Sequence, residues 1–137
     1  MTHHHESFVE EHVKKSVPGY EEGHEYISFL SDYFIGENSR IYDIGCSTGN
    51  LIPKISETSK NKKGLSFIGV EPAIGFEKIF WENISGIDNG NHSFQLIQEQ
   101  IQTIDFEECD LILSYYTMQF IHPKFRQIIF DKIYSSL

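Results

Sequence analysis

Seven consecutive residues, Asp43-Ile44-Gly45-Cys46-Ser47-Thr48-Gly49, bring a carboxylate, a thiol, two hydroxyls and two glycines together. They follow a short apolar run and precede an amphipathic one, which places them on a strand-to-helix turn. Glycines there let the backbone turn sharply and let a ligand approach closely. The N-terminus of the helix adds free N–H groups and partial positive charge. The spacing is D-x-G-x-x-x-G, not G-x-G-x-x-G. Ser47 stands where a pyrophosphate would need the middle glycine, so a nicotinamide dehydrogenase is disfavoured. A smaller anion, such as an amino-acid carboxylate, suits the loop. A tight turn with no ligand remains the plainer alternative. Glu71, at the end of the next apolar run, adds to the ligand reading. A carboxylate there can accept from both hydroxyls of a ribose. Alone it would be read as a solvated strand end.

Other reactive side chains offer less. Cys46 could be a nucleophile, because thiol pKa values fall at helix N-termini. No His or Asp partner is evident for it, so it reads as a small loop residue. His24, His92 and His122 lie far apart and show no ligand spacing, and His3-His4-His5 sits at a chain end without a fixed scaffold. No metal site is expected. Tyr115-Tyr116 and Phe120 could stack on a base or build core beside a cleft.

The elements that must position these residues follow from periodicity. Residues 6–15 read as a helix with Phe8, Val9 and Val13 on one side. Val17-Pro18-Gly19-Tyr20 is a turn. Residues 24–35 repeat Ile27, Leu30 and Phe34 at helical spacing, and Gly36 stops them. Arg40–Ile44 is a β-prone strand running into the loop. Residues 50–57 form a helix with Leu51, Ile52 and Ile55 inward, and Pro53 falls in its tolerant first turn. Residues 65–70 make a second strand ending at Glu71. A helix carrying Phe76, Ile79, Phe80 and Ile84 comes next, then a polar loop with Asn89-Gly90. Strands over 93–98 and 111–115 follow. Residues 123–137 are the clearest helix, with Phe125, Ile128, Ile129, Ile133 and Leu137 in phase. Alternating strands and helices imply right-handed crossovers and a parallel sheet. Strands apolar on both faces suit a sheet with helices on both sides.

Length and charge bound the rest. At 137 residues the chain is one domain or part of one. Eleven cationic against 20 acidic side chains leave a formal charge of −9, which opposes direct contact with a phosphate backbone. No apolar window approaches the ~18 residues that cross a bilayer, and no signal peptide opens the chain. Two cysteines are too few for a disulfide framework. A cytoplasmic protein is expected, with no membrane and no direct nucleic-acid partner.

Asp43, Gly45, Gly49 and Glu71 together resemble the nucleoside-binding half of class I S-adenosylmethionine-dependent methyltransferases. With the flanks included, the resemblance narrows. Ser16-Val17-Pro18-Gly19-Tyr20, Ile41-Tyr42 ahead of the loop, Thr117-Met118-Gln119-Phe120-Ile121, Pro123, Arg126-Gln127 and Asp131-Lys132-Ile133-Tyr134 are similar to the carboxy-S-adenosyl-L-methionine synthase family. That family makes carboxy-S-adenosylmethionine from S-adenosylmethionine and prephenate for wobble-uridine modification of tRNA. The likeness spans roughly residues 8–137.

The resemblance implies an α/β, Rossmann-like methyltransferase fold, truncated, with about four parallel strands and helices on both faces. Residues 1–36 would be an N-terminal helical cap, and 37–137 the first half of the cofactor-binding domain. S-adenosyl-L-methionine or S-adenosyl-L-homocysteine would be the ligand, beside a small-molecule substrate. Tyr20 would reach over it from the cap. Asp43 and Gly49 would bound the loop, and Gly45, Cys46 and Ser47 would line the methionine end. Glu71 would hold the ribose, Gln100 and Ile101 would flank the adenine, and Tyr115 would stand near the cofactor. No catalytic residue is assigned, because the sulfonium is already activated.

The pattern departs from the family at named positions. Gln100 replaces an acidic residue, Tyr115 an asparagine, and Glu71-Pro72 the usual Asp-Asn pair. The sequence stops before the family's arginine-containing segment that grips the extra carboxylate. It is therefore read as a fragment or a natural half-domain, a transferase when complete. A binding or assembly module without catalysis is the alternative. The uncharged run Leu111-Ile112-Leu113-Ser114-Tyr115 would be an open sheet edge, so self-association through it or the helix over residues 123–137, most simply as a homodimer, is expected; the alternative is a monomer with the N-terminal helices folded over that edge.

Overall fold

A computed structural model describes residues 19–87, 91–115 and 117–137. The helix expected over 6–15, Val17-Pro18, Asn89-Gly90 and Tyr116 lie outside the described residues. Helices α1 (Tyr20–Ser31), α2 (Leu51–Thr58), α3 (Glu77–Ser85) and α4 (Pro123–Ser136) alternate with strands β1 (Arg40–Ile44), β2 (Ser66–Val70), β3 (Ser93–Ile97) and β4 (Leu111–Ser114). Short 3-10 turns precede α3 and α4, follow α1 and β3, and carry Phe76, Ile101 and Phe120.

The four strands form one parallel sheet in the order β3-β2-β1-β4. Ile41 pairs with Phe67 on one side and with Leu111 on the other. Successive side chains point to opposite faces. Ile41 and Phe67 therefore join Leu51, Ile52, Ile55, Phe80 and Ile84 under α2 and α3, and Ile27 of α1 packs on that cluster. Tyr42, Ile44, Ile68 and Val70 face the other way, toward Ile101, Ile104 and Ile129 of α4. Helices thus cover both faces. The crossover strands are covered as a parallel sheet requires. The outer strands are not: Ser93 and Gln95 of β3 are exposed, and β4 is half-buried.

Two helix faces differ from the periodic reading. The first helix begins at Tyr20, not at 24, and passes at Asp32 into a 3-10 turn ending at Phe34. It buries His24, Ser28 and Ser31, while Leu30 and Phe34 are 50% and 65% exposed. The serines tolerate burial because each hydroxyl donates one turn back, Ser28 to the His24 carbonyl (2.9 Å) and Ser31 to that of Ile27 (2.6 Å). In α4 the buried stripe is Phe125, Ile129 and Ile133, four residues apart, and Ile128 and Leu137 face outward. Lys62 and Ser59 beyond α2 both donate to Asp32, holding the end of α1 against α2. The Lys62 hydrogen bond keeps the Asp32 carboxyl below the usual carboxylate range.

Candidate functional site

The loop after β1 is held by backbone geometry. Gly45, Ser47 and Gly49 all take positive φ, at 69°, 53° and 71°. Gly45 and Cys46 N–H both donate to the Val70 carbonyl, at 2.7 and 3.1 Å, so the loop is tied to the end of β2. Ser47 N–H donates to Glu71 Oε1 at 2.8 Å, and Ala73 N–H to Oε2 at 3.1 Å. Each carboxylate oxygen has a second lone-pair site left. Glu71 is thus fixed at the crevice between the C-terminal strand ends, where open α/β sheets bind ligands.

A cleft of about 840 Å³ opens there. Of the residues singled out by sequence, Tyr20, Gly45, Ser47, Glu71, Gln100, Ile101 and Tyr115 line it. Asp43, Cys46 and Gly49 do not: they lie buried or packed beneath the loop. A side chain on Gly49 would meet the Phe80 ring at 2.4 Å, so that glycine serves packing. Leu51 and Ile52 in the first turn of α2 are also buried, and that turn gives no residue to the cleft lining. The N–H of Ser47 is already engaged by Glu71, so the anion seat expected of the loop is partly filled from within. Burial first, then the charges of Asp43 and Glu71, raise the Cys46 thiol pKa, which disfavours the thiolate that a nucleophile needs.

The remainder of the cleft wall was not assigned by sequence. Pro72, Phe76 and Gln102 border it, as do Thr117 and residues 119–122 with Phe125. The Thr117–Ile121 segment was visible as a motif, but its role as a wall was not. Thr117 Oγ1 donates to the Ile44 carbonyl at 3.1 Å and stands where a Gly45 side chain would go.

Burial lifts the Asp43 carboxyl to about 7, with the neighbouring Glu71 charge adding to it. An acid whose pKa rises on folding holds its proton longer in the folded state. Its contribution is complete below the unfolded value near 3.8 and is lost as pH climbs to about 7. The stability of the wild type relative to Asp43→Asn is therefore expected to fall across that window, at up to ~1.4 kcal/mol per pH unit. Urea midpoints at several pH values measure it, and parallel profiles for the two proteins would refute it.

Tyr115 joins α1 to the sheet. Its hydroxyl donates to the Tyr20 carbonyl at 2.9 Å, and its ring lies 5.4 Å from that of Tyr20 and 4.8 Å from that of His24. Gly23 leaves room for it: a β-carbon there would sit 2.0 Å from the Tyr115 hydroxyl. Alanine normally stabilises a helix interior by ~1 kcal/mol over glycine. Gly23→Ala is expected to be destabilising in the wild type and stabilising in a Tyr115→Ala background. Thermal melts of the four proteins check the change of sign.

His92 and His122 have structural partners. His92 Nδ1 accepts from Leu65 N–H, and His122 Nδ1 accepts from Lys124 N–H at the start of α4. Among the described residues no three His, Cys, Asp or Glu side chains gather as a metal site would require. No helix of the described residues is long and apolar enough to cross a membrane.

No family model matches the chain. It is 32% identical, over 127 residues, to the carboxy-S-adenosyl-L-methionine synthase of Staphylococcus epidermidis, covering 93% of this chain and 53% of that protein. The chain thus spans about half the length of the curated relatives it matches. Among solved structures it superposes on PKMT2 of Rickettsia typhi in complex with AdoHcy with a TM-score of 0.60 at 19% identity, covering 82% of this chain and 22% of that one. Precorrin-6y C5,15-methyltransferase of Geobacter metallireducens gives 0.57 at 15% identity, covering 82% and 55%. The chain has a Rossmann-like methyltransferase fold, and its sequence is similar to the carboxy-S-adenosyl-L-methionine synthases along nearly all of its length.

Proposed function

We propose that the chain binds S-adenosyl-L-methionine or S-adenosyl-L-homocysteine in the cleft at the ends of β1, β2 and β4. The observation that carries this is Glu71, a carboxylate locked at the end of β2 facing a positive-φ glycine loop. Its open lone pairs suit the ribose hydroxyls. Gly45 and Ser47 suit the methionine end, and Ile101 with Gln100 suits the adenine. Tyr20 closes over them, held by Tyr115. When bound, the cofactor supplies an activated one-carbon group on a sulfonium. What these residues supply is position and exclusion of water, which such a transfer chiefly needs. Calorimetry with both ligands tests the reading; no heat at millimolar concentration would overturn it.

As a transferase it would stand close to the carboxy-S-adenosyl-L-methionine synthases, a cytoplasmic contributor to tRNA modification without direct contact to nucleic acid. The likeness in sequence supports this. A second reading, a cofactor-binding module without turnover, is favoured by Tyr115, which stands in the cleft in place of the family's asparagine. Product formation by the chain would exclude it.

The β4 edge supports a further proposal, pairing with a second copy. Asp110 N–H points to β1 and donates to the Arg40 carbonyl, so the backbones of Leu111 and Leu113 point away from the sheet. Among the described residues nothing pairs with the outer side of β4, and an unpaired apolar edge favours association. Light scattering at micromolar concentration should report a dimer; a cooperative monomer would refute it.

A further inference from the structure

We infer that Tyr20 and Tyr115 make an aromatic seat for a sulfonium cation, so that the chain binds S-adenosyl-L-methionine more tightly than S-adenosyl-L-homocysteine, whose sulfur is uncharged. This rests on the cofactor reading above and names what sets the preference between the two ligands. The sheet order fixes where the sulfur would come. Along the cleft the strand ends run β3, β2, β1, β4. Ile101 follows β3, Glu71 follows β2, Gly45 and Ser47 follow β1, and Tyr115 follows β4, and all of them line the cleft. With adenine against Ile101 and ribose on Glu71, the sulfur, one carbon beyond the ribose ring, is carried toward the ends of β1 and β4.

Two rings stand there. Tyr20 and Tyr115 have centroids 5.4 Å apart and planes inclined at 50°, which makes a notch and not a flat stack. Tyr20 also lines the cleft. The face of an aromatic ring is negative and attracts a ligand cation. A neutral thioether gains no such attraction. The Tyr115 ring is in place before any ligand arrives: its hydroxyl donates to the Tyr20 carbonyl, the His24 ring packs 4.8 Å from it, and Gly23 leaves it room. A seat ordered in advance loses little entropy on binding. Carboxylates add to the preference. The charges of Glu71 and the buried Asp43 both act on the Cys46 thiol of the glycine loop, so their negative potential reaches the methionine end. The chain's formal charge of −9 attracts a cation at longer range.

The test is calorimetry with three ligands: S-adenosyl-L-methionine, S-adenosyl-L-homocysteine, and sinefungin, in which a protonated amine on carbon replaces the methylated sulfur. Both cations are expected to bind at least ~5-fold more tightly than S-adenosyl-L-homocysteine. Tyr115→Leu should cut that preference ~3-fold or more, and Tyr115→Phe, which keeps the ring, should keep it. Where Tyr115→Leu does not fold, the order of the three ligands on the wild type decides alone. Equal or tighter binding of S-adenosyl-L-homocysteine by the wild type would overturn the inference. So would a preference for S-adenosyl-L-methionine that sinefungin does not share, which would be fit to the methyl group and not charge. A preference that Tyr115→Leu leaves unchanged would overturn it too. Binding of none of the three at millimolar concentration overturns the cofactor reading and this inference with it, whereas binding without the preference overturns this inference alone.

Discussion

Glu71→Ala is expected to weaken S-adenosyl-L-methionine binding by ~1–3 kcal/mol, roughly 5-fold to 150-fold in dissociation constant. Two losses combine. The ribose hydroxyls lose a charged acceptor, and the N–H groups of Ser47 and Ala73 lose the oxygens that hold them at 2.8 and 3.1 Å. The glycine loop then keeps its ties to Val70 but not its tie across the crevice. Glu71→Gln separates the two effects. Its amide oxygen can replace one backbone partner while the charge is gone, so its loss should fall between wild type and alanine. Calorimetry on the three proteins measures this. An unchanged affinity in Glu71→Ala would make Glu71 a loop brace only.

Gly49→Ala is expected to lower stability by ~2–5 kcal/mol, enough to leave much of the chain unfolded if its total lies at the low end of the usual 5–15. The φ of 71° costs a side-chain-bearing residue ~1–2 kcal/mol. The new β-carbon would also stand 2.4 Å from Phe80 Cδ2. Phe80 is fully buried and already closely hemmed, because a β-carbon on Gly69 would also stand 2.8 Å from its Cε2. Overpacking of this kind adds ~1–3 kcal/mol. Gly36→Ala is the control: nothing lies within 4 Å of its β-carbon position, and its φ is not positive. Chemical denaturation of both variants tests the contrast, and a Phe80→Leu second change should recover part of the loss.

The strands and the inner faces of α2 and α3 could be read from sequence because apolar residues there repeat at the period of the element that buries them. Leu51, Ile52 and Ile55 were expected inward and are buried. Periodicity reports a stripe, however, and not whether anything covers it. That is why Leu30, Phe34, Ile128 and Leu137 keep the helical spacing and yet stand exposed. It also misses polar residues that bury themselves by local hydrogen bonds, as Ser28 and Ser31 do. At the site, Glu71 and the glycine loop were legible because strand-end chemistry has a fixed spacing. The Tyr20–Tyr115 hydrogen bond joins residues 95 apart, and the pairing of Gly49 with Phe80 or Gly45 with Thr117 is likewise tertiary. No local pattern encodes these.

The strand order carries a consequence for how the molecule comes together. β1 meets β2 across 26 residues, Ile41 to Phe67, but meets β4 across 70, Ile41 to Leu111. Closing the longer loop costs roughly 0.9 kcal/mol more in chain entropy, before any contact rewards it. Long-range pairing of that kind slows folding. Three strands with α2 and α3 can therefore assemble while β4 is still unattached. The crevice has no second wall until β4 arrives with Tyr115 and Thr117. Ligand binding is therefore expected to be the last property this chain acquires as it folds, and the first it loses when β4 detaches. Amide exchange on β4 should accordingly be faster than on β1 and β2, and a bound nucleoside should slow it most at that strand.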